Sequence, residues 1–470
     1  MSFLDREHTV ANPGYSRWMF PPAAIAVQMC IGEVYGFSVF NVPLTRVLGI
    51  TKSVKDQDWT IPQVGWIYSI ALIMLGLSAA VFGKWVERSG PRKTMVASAL
   101  CFCGGLWIGA IGVAYHQLWL IYLGYGFIGG IGMGLGYIAP VSTLIKWFPD
   151  RPGMATGFAI MGFGSGALIG GPLGVLLMDK FKTATSVGVG EAFLAMGAMY
   201  IFSMLFGAAI ARVPAPGWKP EGWTPSTERV NPMMTQHHVT ADEAPKTPQF
   251  WLLWMVLCMN VSAGIGILGQ ASLMTQDMFG ASAVVASGLV GLLSIFNMGG
   301  RFIWSSTSDY TGRKGIYLVY FLLGIVLYLL IPQAQRLHNV AMFAALCCII
   351  ISMYGGGFAT IPAYLRDMFG TYQVGAIHGR LITAWSAAAI IGPQVINYIS
   401  TAKKEAGVPK NLAYNDSLYI CVGMLVVGLI CNLLVRPVNP KHHYAGDDAA
   451  GLAHKPTPST APTAPAASRV

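Results

Sequence analysis

Charge is what this chain has least of. Only 11% of its 470 residues are Asp, Glu, Lys or Arg, while 54% are hydrophobic, and the mean hydropathy is +0.55. A soluble globular protein carries about 25% charged residues because its surface must face water, so this composition cannot cover a soluble surface. Metal and redox patterns are missing too. The eight cysteines lie within apolar stretches and form no C-x-x-C pair with histidines nearby, so they read as small polarizable residues at helix contacts. The glycine run 129–136 holds no G-x-G-x-x-G spacing and lies inside an apolar span, which argues for close helix contact over a dinucleotide loop. No nucleophile–base pattern or metal-ligand pair occurs within the spans. Residues 1–17 are polar and the first apolar run is too long for a cleaved segment, so no signal peptide is expected. A soluble enzyme, a secreted protein and a nucleic-acid binder drop out together, and neither cofactor nor metal is expected. The net charge of +10 lies in short loops between apolar runs, as in membrane proteins.

What the chain has in quantity is apolar runs long enough to cross about 30 Å of hydrocarbon. Twelve can be read, at about 18–45, 62–83, 94–114, 118–145, 153–178, 190–211, 250–275, 283–307, 315–332, 339–365, 373–400 and 413–435. Residues 1–17 form an N-terminal tail, 18–211 a first six-helix half, 212–249 a linker rich in Pro, charge and His, and 250–435 a second half. Residues 436–470 end in a Pro/Ala/Thr/Ser tail expected to be disordered. With the N-terminus inside, the inner segments hold 19 Lys and Arg and the outer loops 9. Both termini are therefore expected to be cytoplasmic in a cell membrane, by default the bacterial inner membrane.

The halves repeat. Gly83-Lys-Trp-Val-Glu87-Arg88-Ser-Gly90-Pro-Arg92-Lys93 follows span 2, and Ser305-Ser-Thr-Ser-Asp309-Tyr-Thr-Gly312-Arg313-Lys314 follows span 8. Glu87 and Asp309, Gly90 and Gly312, and Gly157 and Gly379 are each 222 positions apart, and Gly171-Pro172 recurs at Gly392-Pro393. Parallel six-helix repeats are a build used by transporters. The loop pattern G-x-x-x-[DE]-x-x-G-x-[RK] resembles the signature of the major facilitator superfamily. Narrower stretches resemble its oxalate/formate antiporter family, related to monocarboxylate transporters. They are Trp147-Phe-Pro-Asp-Arg151-Pro-Gly153-Met-Ala-Thr-Gly157, Thr247-Pro-Gln-Phe-Trp251, and Phe296-Asn-Met-Gly-Gly-Arg301-Phe-Ile-Trp304 running into Ser308-Asp309. The likeness covers about residues 18–436. It implies an all-α membrane protein of twelve helices in two pseudo-symmetric halves, working by alternating access.

Arg301 is the most informative single residue. An arginine at a helix centre costs about 2.5–3.5 kcal/mol on insertion scales, and its planar fork of donors matches a carboxylate. It serves either a substrate or an ion pair with Asp309, two turns on. The resemblance implies substrate, because the family's arginine at this position contacts the substrate carboxylate. The same resemblance implies site-lining roles for Tyr35, Tyr137, Phe163, Tyr354 and Phe358, residues that without it read as packing. Oxalate-exchanging members carry a lysine where this chain has Trp385. One cation facing an indole suits a monocarboxylate such as lactate or pyruvate, although Trp385 equally reads as a packing aromatic. Glu33, inside span 1, is either a proton-coupling acid, paired with Arg301 when the site is empty, or an interhelical hydrogen-bonding residue. Burial in a low dielectric favours the protonated form of a carboxylic acid.

Gly83, Glu87, Arg88, Arg92, Asp309 and Arg313 are expected to gate the cytoplasmic side, the basic ones alternatively serving as positive-inside anchors. His378 and Arg380 read as a solvated helix end. The expected function is secondary transport of a small carboxylate, by proton symport or by exchange with a counter-anion, in a lipid bilayer and as a monomer. A carrier fold used as a non-transporting sensor is the rival from another class.

Overall fold

The computed structural model describes residues 3–223, 233–235 and 237–444, without the side chains of 283, 284 and 287. Among the described residues the secondary structure is helical apart from one isolated bridge between Val10 and Val213. Ten helices among the described residues are long and apolar enough to cross a membrane. They are Ile61–Ser89 (span 2), Pro91–Ala114 (span 3), Leu118–Trp147 (span 4), Pro152–Phe181 (span 5), Val189–Ile210 (span 6), Pro248–Phe279 (span 7), Arg313–Arg336 (span 9), Val340–Phe369 (span 10), Val374–Glu405 (span 11) and Asn415–Leu434 (span 12). Span 1 is a broken element, Arg17–Gly36 followed by Ser38–Leu44 at 47°. Span 8 is the 29-residue helix Ala283–Thr311. The continuous first span expected at 18–45 is thus interrupted: a 3-10 turn, Gly32–Gly36, separates its two helical parts.

Local chemistry sets the helix ends. Thr60 and Gln63 form a capping box at the start of span 2, satisfying amides that helical bonding leaves free. Gly90 (φ 80°, ψ 168°) and Gly312 (φ 77°, ψ 152°) close spans 2 and 8 and open spans 3 and 9. Those angles are essentially reserved for glycine, which is why the two signature loops share it. The repeat runs deeper than the loops. His116 and His338, both at positive φ after spans 3 and 9, are 222 positions apart, as are Pro140 and Pro362 inside spans 4 and 10.

The glycines of span 5 are its contact with span 1. A Cβ at Gly162 would stand 3.0 Å from the Ile25 Cα, and Gly166, Gly170 and Gly174 lie against Gly32, Glu33 and Phe40 in turn. In span 4, Gly130 packs on Ala71 of span 2 and Gly132 on Phe102 of span 3. Close backbone approach takes the place of the hydrophobic drive that lipid cannot supply.

The chain ends meet the linker. Val213 N–H donates to the Thr9 carbonyl at 2.8 Å, and Tyr444 N–H to the His238 carbonyl at 2.7 Å. This side is called the linker face below. Exposed Trp18, Trp251 and Tyr310 lie near it, and exposed Trp66, Tyr115, Trp119 and Tyr398 near the opposite ends of the spans. Two aromatic belts of this kind mark membrane interfaces. The tail expected to be disordered falls mostly on 445–470, outside the described residues.

Candidate functional site

The surroundings of Arg301 begin in its own helix. Asn297, one turn earlier on span 8, accepts from Nε at 2.9 Å. Nη1 donates to the Ile160 carbonyl of span 5 at 3.1 Å, so both halves hold the guanidinium. Gly164, one turn after Ile160, makes the room: a Cβ there would stand 3.0 Å from Nε. The residue is fully buried, yet Nη2 has no hydrogen-bond partner. Three rings box the cation, with Cζ 5.7 Å from the centroid of Tyr35, 5.8 Å from Phe163 and 5.2 Å from Phe358, distances at which ring quadrupoles attract a cation.

Trp385 closes the box from span 11, 5.5 Å from Phe358 and 6.1 Å from Phe163. Tyr137 of span 4 lies 5.8 Å from Phe163 and 5.5 Å from Phe358. The hydroxyls of Tyr35 and Tyr354 stand 3.1 Å apart across the two halves. The structure therefore brings together all seven residues of the expected site, Arg301 included, from spans 1, 4, 5, 8, 10 and 11. Tyr35 is half-buried and the other six are buried. The hydroxyl of Tyr137 and the indole Nε1 of Trp385 have no partner. The ion pair with Asp309 is not formed. Asp309 binds Arg313 at 2.6 Å, and no carboxylate pairs with Arg301 among the described residues.

Glu33 lies apart from this chamber, inside the first half. Tyr125 donates to its Oε2 at 3.0 Å, its Oε1 is unpartnered, and no ion pair joins it to Arg301. The two residues are held by irregular backbone on both sides. Glu33 sits in the 3-10 turn of span 1, and Tyr125 in a π-helical stretch, Tyr122–Gly129, within span 4. Such stretches are frequent at functional sites.

On the linker face the signature acids cross the seam. Asp309 accepts the amides of Gly153 and Met154, both at 2.8 Å, at the first turn of span 5. Glu87 accepts the amide of Gly375 at 3.0 Å, at the first turn of span 11, and Lys146 at 2.6 Å. Carboxylates suit helix N-termini, whose free amides carry partial positive charge. Gly83 permits close approach, since a Cβ there would stand 2.7 Å from the Ala376 Cα. Arg313 orients Asp309 and also binds Asp367 at 3.1 Å. Arg88 and Arg92 are placed differently from the rest. Arg88 is exposed and takes no side-chain hydrogen bond or ion pair among the described residues. Arg92 is buried within the first half, donating to the Phe3 and Ala211 carbonyls at 2.7 and 3.3 Å. His378 is not a solvated end: it is 2% exposed, its ring 5.4 Å from that of Tyr137. Arg380 is half-buried and donates to Asp242 of the linker at 2.8 Å.

Hydrogen bonds between the halves among the described residues run from the level of Tyr35 and Tyr354 to the linker face. The halves are thus joined on that face. Two bundles of membrane-crossing helices around a buried central arginine, joined across the seam on one face, have the build of a secondary transporter. The profile of the Major Facilitator Superfamily matches residues 15–393, and the chain belongs to that family. It is similar to the oxalate:formate antiporter of Oxalobacter formigenes, 28% identical over 379 residues, 80% of this chain and 83% of that one. It is also similar to human monocarboxylate transporter 14, 22% identical over 501 residues and 92% of each chain. Among solved structures it resembles the transporter FucP in its outward conformation, with a TM-score of 0.63, 14% identity, and 89% of this chain and 99% of that one covered.

Proposed function

We propose that this transporter moves a small monocarboxylate, of the lactate and pyruvate kind, by alternating access with a proton. One observation carries the reading: Arg301 is fully buried, and among the described residues its Nη2 is unpartnered and no acid balances its charge. A buried unpaired charge is costly, and removing one partner of a buried pair typically costs about 3–5 kcal/mol. A substrate carboxylate supplies that partner through charge-assisted hydrogen bonds. A single cation among five rings and an indole balances one negative charge and leaves apolar walls for a short chain, which favours a monoanion over a dianion. The likeness to monocarboxylate transporter 14 agrees with this.

The proton is assigned to Glu33. Among the described residues no cation stands beside it, and it shares the Gly32–Gly36 turn with Tyr35, whose ring lies against Arg301. Protonation and substrate binding therefore act on one short segment. The Lys and Arg bias makes the linker face cytoplasmic, in the inner membrane, and the chamber alternates between that side and the other.

A second reading is exchange of one carboxylate for another, favoured by the likeness to an oxalate:formate antiporter. Counterflow separates the two. Proteoliposomes preloaded with formate or oxalate take up labelled oxalate without a proton gradient if the chain exchanges anions. Gradient-driven uptake of lactate and pyruvate, with no oxalate counterflow, supports symport. Binding of carboxylates with no flux in either assay would leave the sensor reading.

A further inference from the structure

His378 is buried against Tyr137, on the linker side of the Arg301 site. It lies in the first helical segment of span 11, Val374–Leu381, flanked by two glycines that press this segment onto the other half. The Gly375 amide binds Glu87, and a Cβ at Gly379 would collide with the Ala79 carbonyl of span 2. Held so, the imidazole faces the ring of Tyr137 across the seam, 5.4 Å away at 55°. Its Nε2 is buried without a partner, as are the Tyr137 hydroxyl and the Trp385 Nε1, the latter seven positions further along span 11. No acid pairs with His378 among the described residues. Packing alone would be served by Phe or Leu, and a buried polar atom left unpaired is costly. His378 and Tyr137 lie on facing spans, and Tyr137 packs on Phe163 and Phe358, the rings that Arg301 touches, so an oxygen of a bound molecule there would partner both.

The geometry points to His378 as a specificity-determining contact. It hydrogen-bonds a second oxygen of the substrate, beyond the carboxylate held by Arg301, beside the ring of Tyr137. The substrate class is then a short 2-oxo or 2-hydroxy monocarboxylate, and a plain alkanoate of equal length is disfavoured. This rests on the carboxylate-carrier reading above.

The test is equilibrium binding of pyruvate and propionate to the purified full chain. The two have the same carbon skeleton and differ by the 2-oxo group. The wild type is expected to favour pyruvate by about tenfold or more, the worth of about one neutral hydrogen bond. His378→Phe keeps a ring against Tyr137 and removes the polar atoms, so the preference falls to within about threefold, while His378→Gln, which still offers an amide donor, recovers part of it. Thermal melting checks that each variant folds. An undiminished preference in His378→Phe overturns the assignment. If that variant does not fold, equal wild-type affinities for pyruvate and propionate overturn it without any substitution. A wild type that binds neither acid sinks the carrier reading and this assignment together, a result distinct from binding both equally.

Discussion

Asp309 accepts the amide of Gly153 at 2.8 Å, and Glu87 accepts that of Gly375 at 3.0 Å, so one contact is made twice by residues 222 positions apart in each case. Each acid ends one helix in its own half and caps the first turn of a helix in the other. A carboxylate bound to backbone amides is a strong but breakable contact, worth about 1.5–3 kcal/mol. Two of them, set symmetrically across the seam, suit a face that must shut and reopen.

Removing the charge from either acid should loosen the linker face. Ser142 stands beside Gly375 at the seam, so a Ser142→Cys probe reports opening. Adding Asp309→Asn or Glu87→Gln is expected to raise labelling of that cysteine by an impermeant maleimide several-fold, in line with about 1 kcal/mol lost. Unchanged labelling would mean the acids brace the helices without holding the face closed.

The linker adds a third contact at this seam. Asp242 binds Lys84 of span 2 and Arg380 of span 11, and these hydrogen bonds hold its carboxyl down at about 2, below the ordinary 3.8. For an acid with a lowered value, the stabilisation is fully present above the ordinary value and fades as pH falls toward the lowered one. Asp242→Asn should therefore lower the melting temperature by the same small amount at about pH 5 and about pH 8. Equal melting temperatures of variant and wild type at both pH values would show that the tether does not form, and a difference lost only at the lower pH would show that the carboxyl is not held low. Because Asp242 is largely exposed, the effect itself should be slight.

Gly164 tests the seat of the guanidinium. Its missing Cβ would stand 3.0 Å from the Nε and 3.1 Å from the Cδ of Arg301. Gly164→Ala should displace the cation and raise KM for uptake by about tenfold, within the range of about 1–3 kcal/mol for overpacking, while the protein remains folded. An unaltered KM would show that the Arg301 position is not decisive.

Glu33→Gln separates coupling from carriage. The variant keeps a side chain of the same shape beside Tyr125 but cannot cycle a proton. Accumulation driven by a proton gradient should vanish, and exchange of labelled for unlabelled substrate should persist. Full gradient-driven accumulation in the variant would remove Glu33 from the coupling.

Much of this was legible in the sequence because a membrane makes polar residues conspicuous. Hydropathy marked the spans, and Arg301 stood out as a charge in an apolar run. The glycine spacing of span 5 did prove to be the face against span 1. Contacts that depend on helix rotation were not legible. Asn297 stood one turn from Arg301 and was the available signal for its orienting partner, but the Ile160 carbonyl is backbone and leaves no trace in residue type. Arg88 and Arg92 share a basic loop, and only the packing turns one to solvent and the other inside. His378 looked like a solvated helix end because it and Arg380 stand at the start of an apolar span. The glycines on either side of it, which draw the end of span 11 under Tyr137, were the overlooked sign.

The central claim is that Arg301 holds the carboxylate of a transported monoanion. Uptake of labelled pyruvate and lactate into proteoliposomes, with and without an inward proton gradient, tests it most directly when wild type, Arg301→Ala and Arg301→Lys are run together. The account predicts gradient-driven uptake in the wild type, none in Arg301→Ala, and at least about a tenfold loss in Arg301→Lys, which keeps the charge but not the planar fork. Uptake by Arg301→Ala at the wild-type rate would contradict it.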